Sequence, residues 1–588
     1  MKLSINRNIV WCDLFVNRLA QLGVRYACIS PGSRSTSLTL AFIANKQIEV
    51  LPIVDERSSS FFALGLAKRS NTPVTVVTTS GTAVAELYPA IIEAYYQRVP
   101  LIICTADRPH SLRNRGANQT INQRNIYKNH IRNFVDAGLP EVRNLSFIKK
   151  IAEDAIKFST IIDKGPVHIN FPFEKPFEPE SYTDRIEMGT IEKNFSDSSI
   201  NFPAGVSANV NYGVLTRKFW STEKGLIIIG SHHYKNDFVK NVVRFSEKFG
   251  FPVYIDGASS DRYGKHSKRN MIENLTAFIR AQDFQQYFDP EIIIHFGWTP
   301  TSNVLQNFFK QSKAEKILVN EFGDKNDPSL TAKTLLRVSP PEFVDTILQS
   351  EQNKKNRDSC WLIDYQVMDN LAGEIKDRFI KNAKFPFEGR IPTELLSVIP
   401  EKSNLMISNS LPIRDTDFFA PTMEKALSIF TNRGASGIDG INSTALGIAK
   451  ASKGNNYLMI GDLAFYHDLN GLHNAIKYNL PLTVVLINNG GGGIFESLPI
   501  SEYRDVFKEN FATPLTVNFK KLVEAYGGIH HKIKNWKDLK EKVILSGKKK
   551  TLTVLEIQTD AKQSKLQRQN YWNAVSKRIV RFINETKS

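Results

Sequence analysis

The stretch "GDLAFYHDLNGLHNAIKYNLPLTVVLINNGGGGIFESLP", residues 461–499, decides the fold of this chain. An apolar run ends at Gly461 and Asp462, and a second apolar run ends at Asn488 and Asn489, directly before four glycines. A helix-like segment separates the two runs. Strands joined through a helix lie parallel in an open sheet, where ligands bind at the carboxyl ends of the strands. The stretch therefore predicts a ligand site at two neighbouring strand ends.

The donors at these two strand ends indicate the ligand. A carboxylate, a carboxamide and bare backbone are hard oxygen donors, which suit Mg²⁺ better than zinc. The glycines let backbone groups approach a phosphate closely. Taken singly, Asp462 is explained equally well as a helix cap, and the Asn-Asn-Gly-Gly stretch as a turn. Together they predict a site for a metal ion and a diphosphate.

The rest of the chain alternates strand-like and helix-like segments in three blocks, which predicts an α/β protein of three doubly wound parallel-sheet domains. We place these domains at residues 1–180, 213–350 and 375–588. Polar stretches at 175–212 and 350–359 are interpreted as connections, and no repeat is visible in the sequence. The strand-like runs are RYACIS, IEVLPIV, PVTVVTTS, PLIICTA and GPVHINF; GLIIIG, FPVYID, EIIIHFG and KILVNEFG; and NLMISNS, NYLMIGD, LTVVLINN and LTVLEIQ.

Composition limits the class of protein. The 588 residues are 41% hydrophobic, which is enough for sizeable cores, and no apolar run is long enough for a membrane span. The chain start lacks a secretory signal, and the four scattered cysteines form no CxxC pair, so we expect a cytoplasmic protein without membrane insertion. The net charge of +17 raises the possibility of a nucleic-acid partner. The basic residues are dispersed and accompany no nucleic-acid motif, which favours a solvated basic surface.

The pair of strand ends resembles the metal signature of the thiamin-diphosphate enzymes. The resemblance implies thiamin diphosphate as cofactor, with Mg²⁺ or Mn²⁺ held by Asp462, Asn489 and the carbonyl of Gly491. It also implies a pyrimidine-binding, a middle and a diphosphate-binding domain, and a homodimer or homotetramer. Most of the family has glycine after the aspartate, whereas this chain has Leu463, which indicates a particular branch.

The stretch "IVDERSSSFFALGLAKRS", residues 53–70, places two acids where a strand gives way to a helix. From the sequence alone, an acid in this position is best explained as a helix cap. The resemblance implies that Glu56 hydrogen-bonds N1′ of the cofactor pyrimidine and is the catalytic acid. Asp55 is then the expected helix cap.

Further motifs resemble the carboligase branch of this family that acts in menaquinone biosynthesis: SPGSRSTSLTLA, TSGTAVAELYPAIIEA, TADRP, GANQT, SNSLPIRD and NRGASGIDG. The resemblance implies a transferase that decarboxylates 2-oxoglutarate and adds the succinyl semialdehyde unit to isochorismate. Both substrates are polyanionic, and arginine pairs with carboxylates through its planar fork.

The resemblance also implies roles for individual residues, although each alone is equally explained by a surface ion pair, a turn or a core position. Ser410 and Ile438 are implied in cofactor binding. The residues implied in substrate binding are Ser33, Arg34, Arg108, Asn118, Gln119, Arg414, Arg433, Ile494, Phe495 and Leu498. Asn303 stands where we expect a lysine in the middle domain, which leaves the role of this position open.

Two other functions are compatible with the sequence. The nearer is another thiamin-diphosphate carboligase or decarboxylase of the acetolactate-synthase type, which the four arginines disfavour because its substrate is a small monocarboxylate. The more distant is a basic nucleic-acid-binding protein, which the metal signature disfavours.

Overall fold

A computed structural model describes residues 2–196, 210–231, 234, 237–351 and 355–587. Within these residues the chain forms three parallel β-sheets, and helices cover both faces of each sheet. The predicted fold class, three doubly wound α/β domains, is therefore confirmed. No described helix is both long enough and apolar enough to cross a membrane.

The N-terminal domain contains a six-stranded sheet and a separate antiparallel pair, β1 and β8. Its strands are β1 (Lys2–Ile5), β2 (Tyr26–Ile29), β3 (Glu49–Pro52), β4 (Val74–Thr78), β5 (Leu101–Asp107), β6 (Asn133–Asp136), β7 (Val167–Pro172) and β8 (Asp184–Glu187). Its helices are α1 (Arg7–Gln21), α2 (Thr36–Ala44), α3 (Glu56–Ser70), α4 (Thr82–Glu86), α5 (Tyr88–Tyr96), α6 (Leu145–Lys157) and α7 (Met188–Phe195).

The middle domain contains a five-stranded sheet. Its strands are β9 (Gly225–Ile229), β10 (Val253–Ile255), β11 (Ile292–Phe296), β12 (Glu315–Asn320) and β13 (Ala332–Arg337). Its helices are α8 (Tyr212–Ser221), α9 (Phe238–Phe249), α10 (Leu275–Phe278), α11 (Phe284–Phe288), α12 (Asn303–Gln311) and α13 (Pro340–Ser350).

The C-terminal domain contains a second six-stranded sheet. Its strands are β14 (Asn404–Ile407), β15 (Ser428–Thr431), β16 (Asn456–Gly461), β17 (Leu482–Asn488), β18 (Ile529–Lys532) and β19 (Leu552–Gln558). Its helices are α14 (Cys360–Asn382), α15 (Ile391–Val398), α16 (Leu411–Phe419), α17 (Ile441–Lys450), α18 (Asp462–His467), α19 (His473–Lys477), α20 (Arg504–Phe507), α21 (Phe519–Ala525), α22 (Trp536–Ser546) and α23 (Ala561–Lys587).

The two six-stranded sheets share one topology. Their strand orders, β3-β2-β4-β5-β7-β6 and β15-β14-β16-β17-β19-β18, become identical when the strands of each sheet are numbered along the chain. The middle sheet, β10-β9-β11-β12-β13, repeats the first four positions of this order. The repeat that is invisible in the sequence is therefore present in the structure. In such sheets the crevice for a ligand lies where the strand order reverses, beside β2 and beside β14.

The N-terminal and C-terminal domains pack together through equivalent helices, α3 and α17. A Cβ at Gly65 would lie 2.1 Å from the carbonyl oxygen of Thr444, and one at Gly447 would lie 2.0 Å from that of Phe62. The helices approach this closely because a glycine stands on each side of the crossing. Gly440, with a φ of +64°, lies against the Phe61 ring in the same way.

One prediction about organisation is wrong. Residues 175–212, interpreted as a connection, contain β8, which pairs with β1 at the chain start, and α7. Residues 197–209 of this stretch and residues 352–354 of the second connection lie outside the described residues.

The predicted limit at residue 375 falls inside α14, whose Tyr365 and Met368 share a hydrophobic cluster with Tyr571 of α23. The domain limits themselves stay predictions.

Candidate active site

Loops that follow β14, β15, β16 and β17 enclose a cavity of about 330 Å³ in the C-terminal domain. The cavity has polar and apolar walls, which contain most of the C-terminal residues that the sequence singled out. The residues that line it include Glu388, Asn409, Ser410, Arg414, Arg433, Ile438, Asp462, Leu463, Asn489, Gly491, Ile494 and Phe495. The described part of the N-terminal domain contributes no lining residue.

Asp462 begins α18 and is almost completely buried. Its Oδ1 accepts a hydrogen bond of 2.7 Å from the N–H of Leu463, and its Oδ2 accepts one of 2.8 Å from the N–H of Gly491. Burial raises the pKa of Asp462 to about 6, against the lowering effect of these backbone donors. The bond to Gly491 links the ends of β16 and β17, so the two parts of the predicted metal signature are in contact.

Asn489 supplies a free oxygen beside this carboxylate. Its Nδ2 donates to Oε1 of Glu388 at 3.1 Å, while its Oδ1 is buried and accepts no hydrogen bond from any described residue. Gly491 has a φ of +123°, and a Cβ there would lie 1.9 Å from the carbonyl oxygen of Ala512. The set of carboxylate, amide and carbonyl oxygens fits a hard cation such as Mg²⁺. The described residues contain no cluster of three or more His, Cys, Asp or Glu side chains for a metal, so this mixed set is the candidate.

Arg414 and Arg433 form a pair of cations at the cavity. Arg414 donates to the carbonyl of Ser410 at 2.6 Å, and Arg433 donates to Oδ1 of Asn409 at 3.3 Å. Burial and then the charge of Arg433 lower the pKa of Arg414, so the two guanidinium groups repel each other across a partly dry space. An anion between them would relieve this repulsion. Ser410 has a φ of +73°, an unfavourable conformation that starts α16 at the cavity edge.

Arg34 and Arg108 form a second pair of cations, at the carboxyl end of the N-terminal sheet. Arg34 donates to the carbonyl of Phe173 at 2.8 Å, and Arg108 donates to Oγ of Ser80. Burial and then the charge of Arg108 lower the pKa of Arg34. Each of the two related sheets therefore carries an arginine pair at the same end, and each pair can receive a carboxylate.

The two acids before α3 have different surroundings. Asp55 caps the helix, because its Oδ1 accepts a hydrogen bond of 3.0 Å from the N–H of Ser58, and the predicted capping role is confirmed. Glu56 is half-buried, and burial, followed by the charges of Asp55 and Glu86, raises the pKa of its carboxyl. A carboxyl of this kind holds its proton more firmly than an ordinary glutamate.

Within one chain, the start of α3 contacts the segment that follows α18. Arg57 donates to the carbonyl of His467 at 3.0 Å, and Asn470 donates to Asp55 at 3.0 Å. Glu56 does not line the cavity around Asp462. We call these the two candidate half-sites of the chain: Glu56 with the first arginine pair, after strands of the N-terminal sheet, and the oxygen donors with the second pair, at the C-terminal cavity.

The remaining predicted residues do not all reach these half-sites. The apolar wall of the cavity contains Ile438, Ile494 and Phe495. Leu498 lies outside the cavity lining and is 45% exposed. Ser33, Asn118 and Gln119 are exposed on the N-terminal domain. The backbone of Gln119 lies 3.2 Å from the Cβ position of Gly81, close to Ser80. Asn303 is exposed at the start of α12 in the middle domain.

Two residues that hold a loop of the site were missed by sequence reasoning, although both lie in stretches quoted above. Glu93 of α5 accepts hydrogen bonds from the N–H groups of Gly434 and Ala435, at 2.8 and 2.7 Å. Lys68 of α3 donates to Oδ1 of Asn432 at 2.6 Å. Both belong to the N-terminal domain and hold the loop that carries Arg433. Only the position of Glu93 inside TSGTAVAELYPAIIEA, a motif already noted, could have drawn attention to it.

Comparisons with known proteins agree with this geometry. Residues 11–126 match the family "Thiamine pyrophosphate enzyme, N-terminal TPP binding domain", and residues 420–557 match "Thiamine pyrophosphate enzyme, C-terminal TPP binding domain". Thiamine pyrophosphate is another name for thiamin diphosphate. In fold, the chain is similar to the thiamine diphosphate-dependent 4-hydroxybenzoylformate decarboxylase of Rhodococcus jostii RHA1. The TM-score is 0.68 at 13% identity, over 94% of this chain and 99% of that one.

Curated relatives are similar over nearly the whole length. The 2-succinyl-5-enolpyruvyl-6-hydroxy-3-cyclohexene-1-carboxylate synthase of Bacillus cytotoxicus is 36% identical over 95% of both chains. The synthase of the same name from Geobacillus kaustophilus is 36% identical over 98% of this chain and 99% of its own. The chain therefore belongs to the family of the 2-succinyl-5-enolpyruvyl-6-hydroxy-3-cyclohexene-1-carboxylate synthases, among the thiamine pyrophosphate enzymes.

Proposed function

We propose that this chain decarboxylates 2-oxoglutarate and adds the resulting succinyl semialdehyde unit to isochorismate, as a cytoplasmic transferase of menaquinone biosynthesis. The product is 2-succinyl-5-enolpyruvyl-6-hydroxy-3-cyclohexene-1-carboxylate, and CO₂ is released. The observation that carries the proposal is the cavity around Asp462, where oxygen donors for a metal, paired arginines and an apolar wall meet in a member of this family.

The residues around the cavity fit thiamin diphosphate and a divalent cation, Mg²⁺ or Mn²⁺. When bound, the cofactor supplies a nucleophilic carbon and an electron sink for decarboxylation. Asp462, Asn489 and the carbonyl of Gly491 would hold the cation, which in turn holds the diphosphate. Ser410 would contact the cofactor, and Ile438 would support it from the apolar side.

The arginine pairs bind and orient the substrates. Each pair would receive carboxylates: one pair is Arg34 with Arg108, and the other is Arg414 with Arg433. The polar residues Ser33, Asn118 and Gln119 would assist in substrate binding. Isochorismate and 2-oxoglutarate both carry carboxylates, so two cationic pairs match two anionic substrates. Ile494 and Phe495, which line the cavity, would exclude water from the reacting carbon and so limit its premature protonation.

Glu56 would hydrogen-bond the pyrimidine ring of the cofactor and hold a proton at N1′. Since Glu56 does not line the cavity of its own chain, the half-site with Glu56 would complete the cavity of a neighbouring chain. We therefore propose a homodimer as the smallest active unit, with a homotetramer as a larger assembly. No nucleic acid or membrane takes part in this function.

The direct test combines the purified chain with thiamin diphosphate, Mg²⁺, 2-oxoglutarate and isochorismate. We expect CO₂ release and an adduct of the expected mass by mass spectrometry, both dependent on each component. Release of CO₂ without an adduct would contradict the carboligase assignment and favour a decarboxylase of the same cofactor class. Adduct formation from pyruvate in preference to 2-oxoglutarate would favour the acetolactate-synthase type.

A further inference from the structure

Glu388 lies behind the proposed metal ligand Asn489, in a short turn between α14 and α15. It is completely buried, and its side-chain hydrogen bonds with described residues are all accepted from donors. Its Oε1 accepts hydrogen bonds from Nδ2 of Asn489 at 3.1 Å and from Oγ1 of Thr559 at 2.8 Å. Its Oε2 accepts one from Nη2 of Arg568 at 2.7 Å.

Arg568 of α23 binds the second oxygen of this carboxyl group. The guanidinium is buried and also binds Asp415, with Nε and Nη2 at 2.7 and 2.6 Å from the two carboxylate oxygens. Burial lowers the pKa of Arg568, but pairing with Asp415 and Glu388 outweighs it, so the pKa lies above its ordinary value. Toward all three of its hydrogen-bond donors, the Glu388 carboxyl group acts as an acceptor only.

The acceptor-only character of Glu388 decides which way the Asn489 amide points. An amide can rotate by half a turn and exchange its oxygen for its NH₂ group at nearly the same shape. Beside Glu388, only the NH₂ orientation is favourable, because an amide oxygen would face a carboxylate oxygen at 3.1 Å. The amide oxygen is thereby turned away from Glu388, where it is buried and accepts no hydrogen bond from the described residues, and Asn489 itself lines the cavity.

We propose that Glu388 is a positioning residue that fixes the Asn489 amide with its oxygen toward the metal. Glu388 is not itself a ligand, because both its oxygens are engaged by Asn489, Thr559 and Arg568. This inference rests on the proposed metal site and deepens it. Substitution of a residue that orients a metal ligand without touching the metal typically lowers metal affinity by about 10- to 100-fold.

The first test replaces Glu388 with glutamine and measures Mg²⁺ binding by isothermal titration calorimetry at saturating thiamin diphosphate. The glutamine NH₂ group can donate to the Asn489 oxygen, which lets the amide turn and present its own NH₂ group to the cation. We expect Mg²⁺ affinity to fall about 10- to 100-fold. Thr559→Val is the matched control, since it removes a donor from the same oxygen but leaves Asn489 in place. It should change the affinity less than about threefold.

A second pair of variants separates orientation from folding. Glu388→Asp keeps the charge and the Arg568 pair but withdraws the acceptor from Asn489, so it should also weaken Mg²⁺ binding. Asn489→Asp alone places two carboxylates together and should bind Mg²⁺ poorly. Combined with Glu388→Gln, it should recover at least tenfold in affinity, because the new NH₂ group donates to one aspartate oxygen and leaves the other for the cation.

Any of three results would overturn the inference. Glu388→Gln could bind Mg²⁺ as tightly as the wild type, Thr559→Val could lose as much Mg²⁺ affinity as Glu388→Gln, or the double variant could recover no affinity. Failure of both Glu388→Gln and Glu388→Asp to fold, judged by thermal unfolding without cofactor, would also overturn it by assigning Glu388 a purely structural role. Absence of Mg²⁺-dependent binding of thiamin diphosphate in the wild-type chain would instead contradict the proposed function itself.

Discussion

The carboxylate of Glu93, in the N-terminal domain, accepts two backbone hydrogen bonds from the loop that follows β15 in the C-terminal domain. Glu93 is 3% exposed, and its two oxygens receive the N–H groups of Gly434 and Ala435 separately. Because Arg433 immediately precedes these residues, the N-terminal domain fixes the position of a cation in the other half-site of the same chain.

Glu93→Gln should therefore weaken substrate binding more than turnover. The glutamine NH₂ group cannot accept one of the two N–H bonds, so the loop relaxes and Arg433 loses its fixed position. We expect KM for at least one substrate to rise about tenfold, with a smaller change in kcat, in steady-state kinetics. Glu192→Gln, at an exposed position in α7, is the control and should leave both constants unchanged. A fall in kcat at constant KM would contradict this role.

The helix crossing between α3 and α17 should tolerate no side chain at Gly65. Its added Cβ would lie 2.1 Å from a backbone oxygen that cannot move without shifting α17. We expect Gly65→Ala to lower the free energy of unfolding by about 3 kcal/mol in denaturant titrations. Gly189→Ala, in α7, meets no atom within 4 Å and is the matched control. It should leave stability unchanged or raise it by up to about 1 kcal/mol.

Arg414→Ala should lower kcat/KM about 100-fold for at least one anionic substrate, since the fork that pairs with a carboxylate is lost. Arg414→Lys keeps the charge without the planar fork and should recover only part of this loss. Arg143→Ala, whose side chain is 86% exposed, serves as the control and should behave as the wild type. If Arg414→Ala and the wild type had the same kcat/KM, Arg414 would have no role in substrate binding.

Asp13 in α1 predicts a pH-dependent stability. Burial raises its pKa from 3.8 to about 6 in the folded chain, so the folded state binds a proton that the unfolded state releases. Stability contributed by this group is complete below pH 3.8 and is lost as the pH rises through 6. Asp13→Asn should therefore stabilise the protein at pH 7 by up to about 3 kcal/mol. The stability gained by Asp13→Asn should disappear near pH 4 in denaturant titrations. A gain that is the same at pH 4 and pH 7 would contradict the raised pKa of Asp13.

The buried strands of the fold were predictable, whereas four of the six edge strands of the three parallel sheets were not. Central strands such as β4 and β9 are buried throughout because both of their faces are covered, so their sequences are rich in β-branched residues and carry no charge. The unpredicted edge strands β6, β13, β15 and β18 are only partly buried and mix polar with apolar residues. Their pairing is decided by the neighbouring strand and leaves little pattern in the sequence.

The candidate site shows the same division. Asp462, Asn489 and the glycine run follow apolar strands with a recognisable spacing, so their proximity could be predicted. Glu388 and Glu93 act through contacts with residues 101 and 341 positions away, and sequence spacing carries no signal for such contacts. The resemblance named the residues expected to touch the ligands but not those that hold them in place.

Mixing two inactive variants tests most directly whether neighbouring chains share one coenzyme site. Glu56→Gln should fold and bind Mg²⁺ and thiamin diphosphate yet lose most turnover, and Asp462→Asn should lose the metal. The mixed dimer contains one Glu56→Gln chain and one Asp462→Asn chain, each with a different tag for purification. If Glu56 acts across the interface, one of its two sites contains both substitutions and the other contains neither. We predict about half of the wild-type activity per mixed dimer. A mixed dimer as inactive as its parents would show that Glu56 and Asp462 do not meet across chains, and would contradict the account.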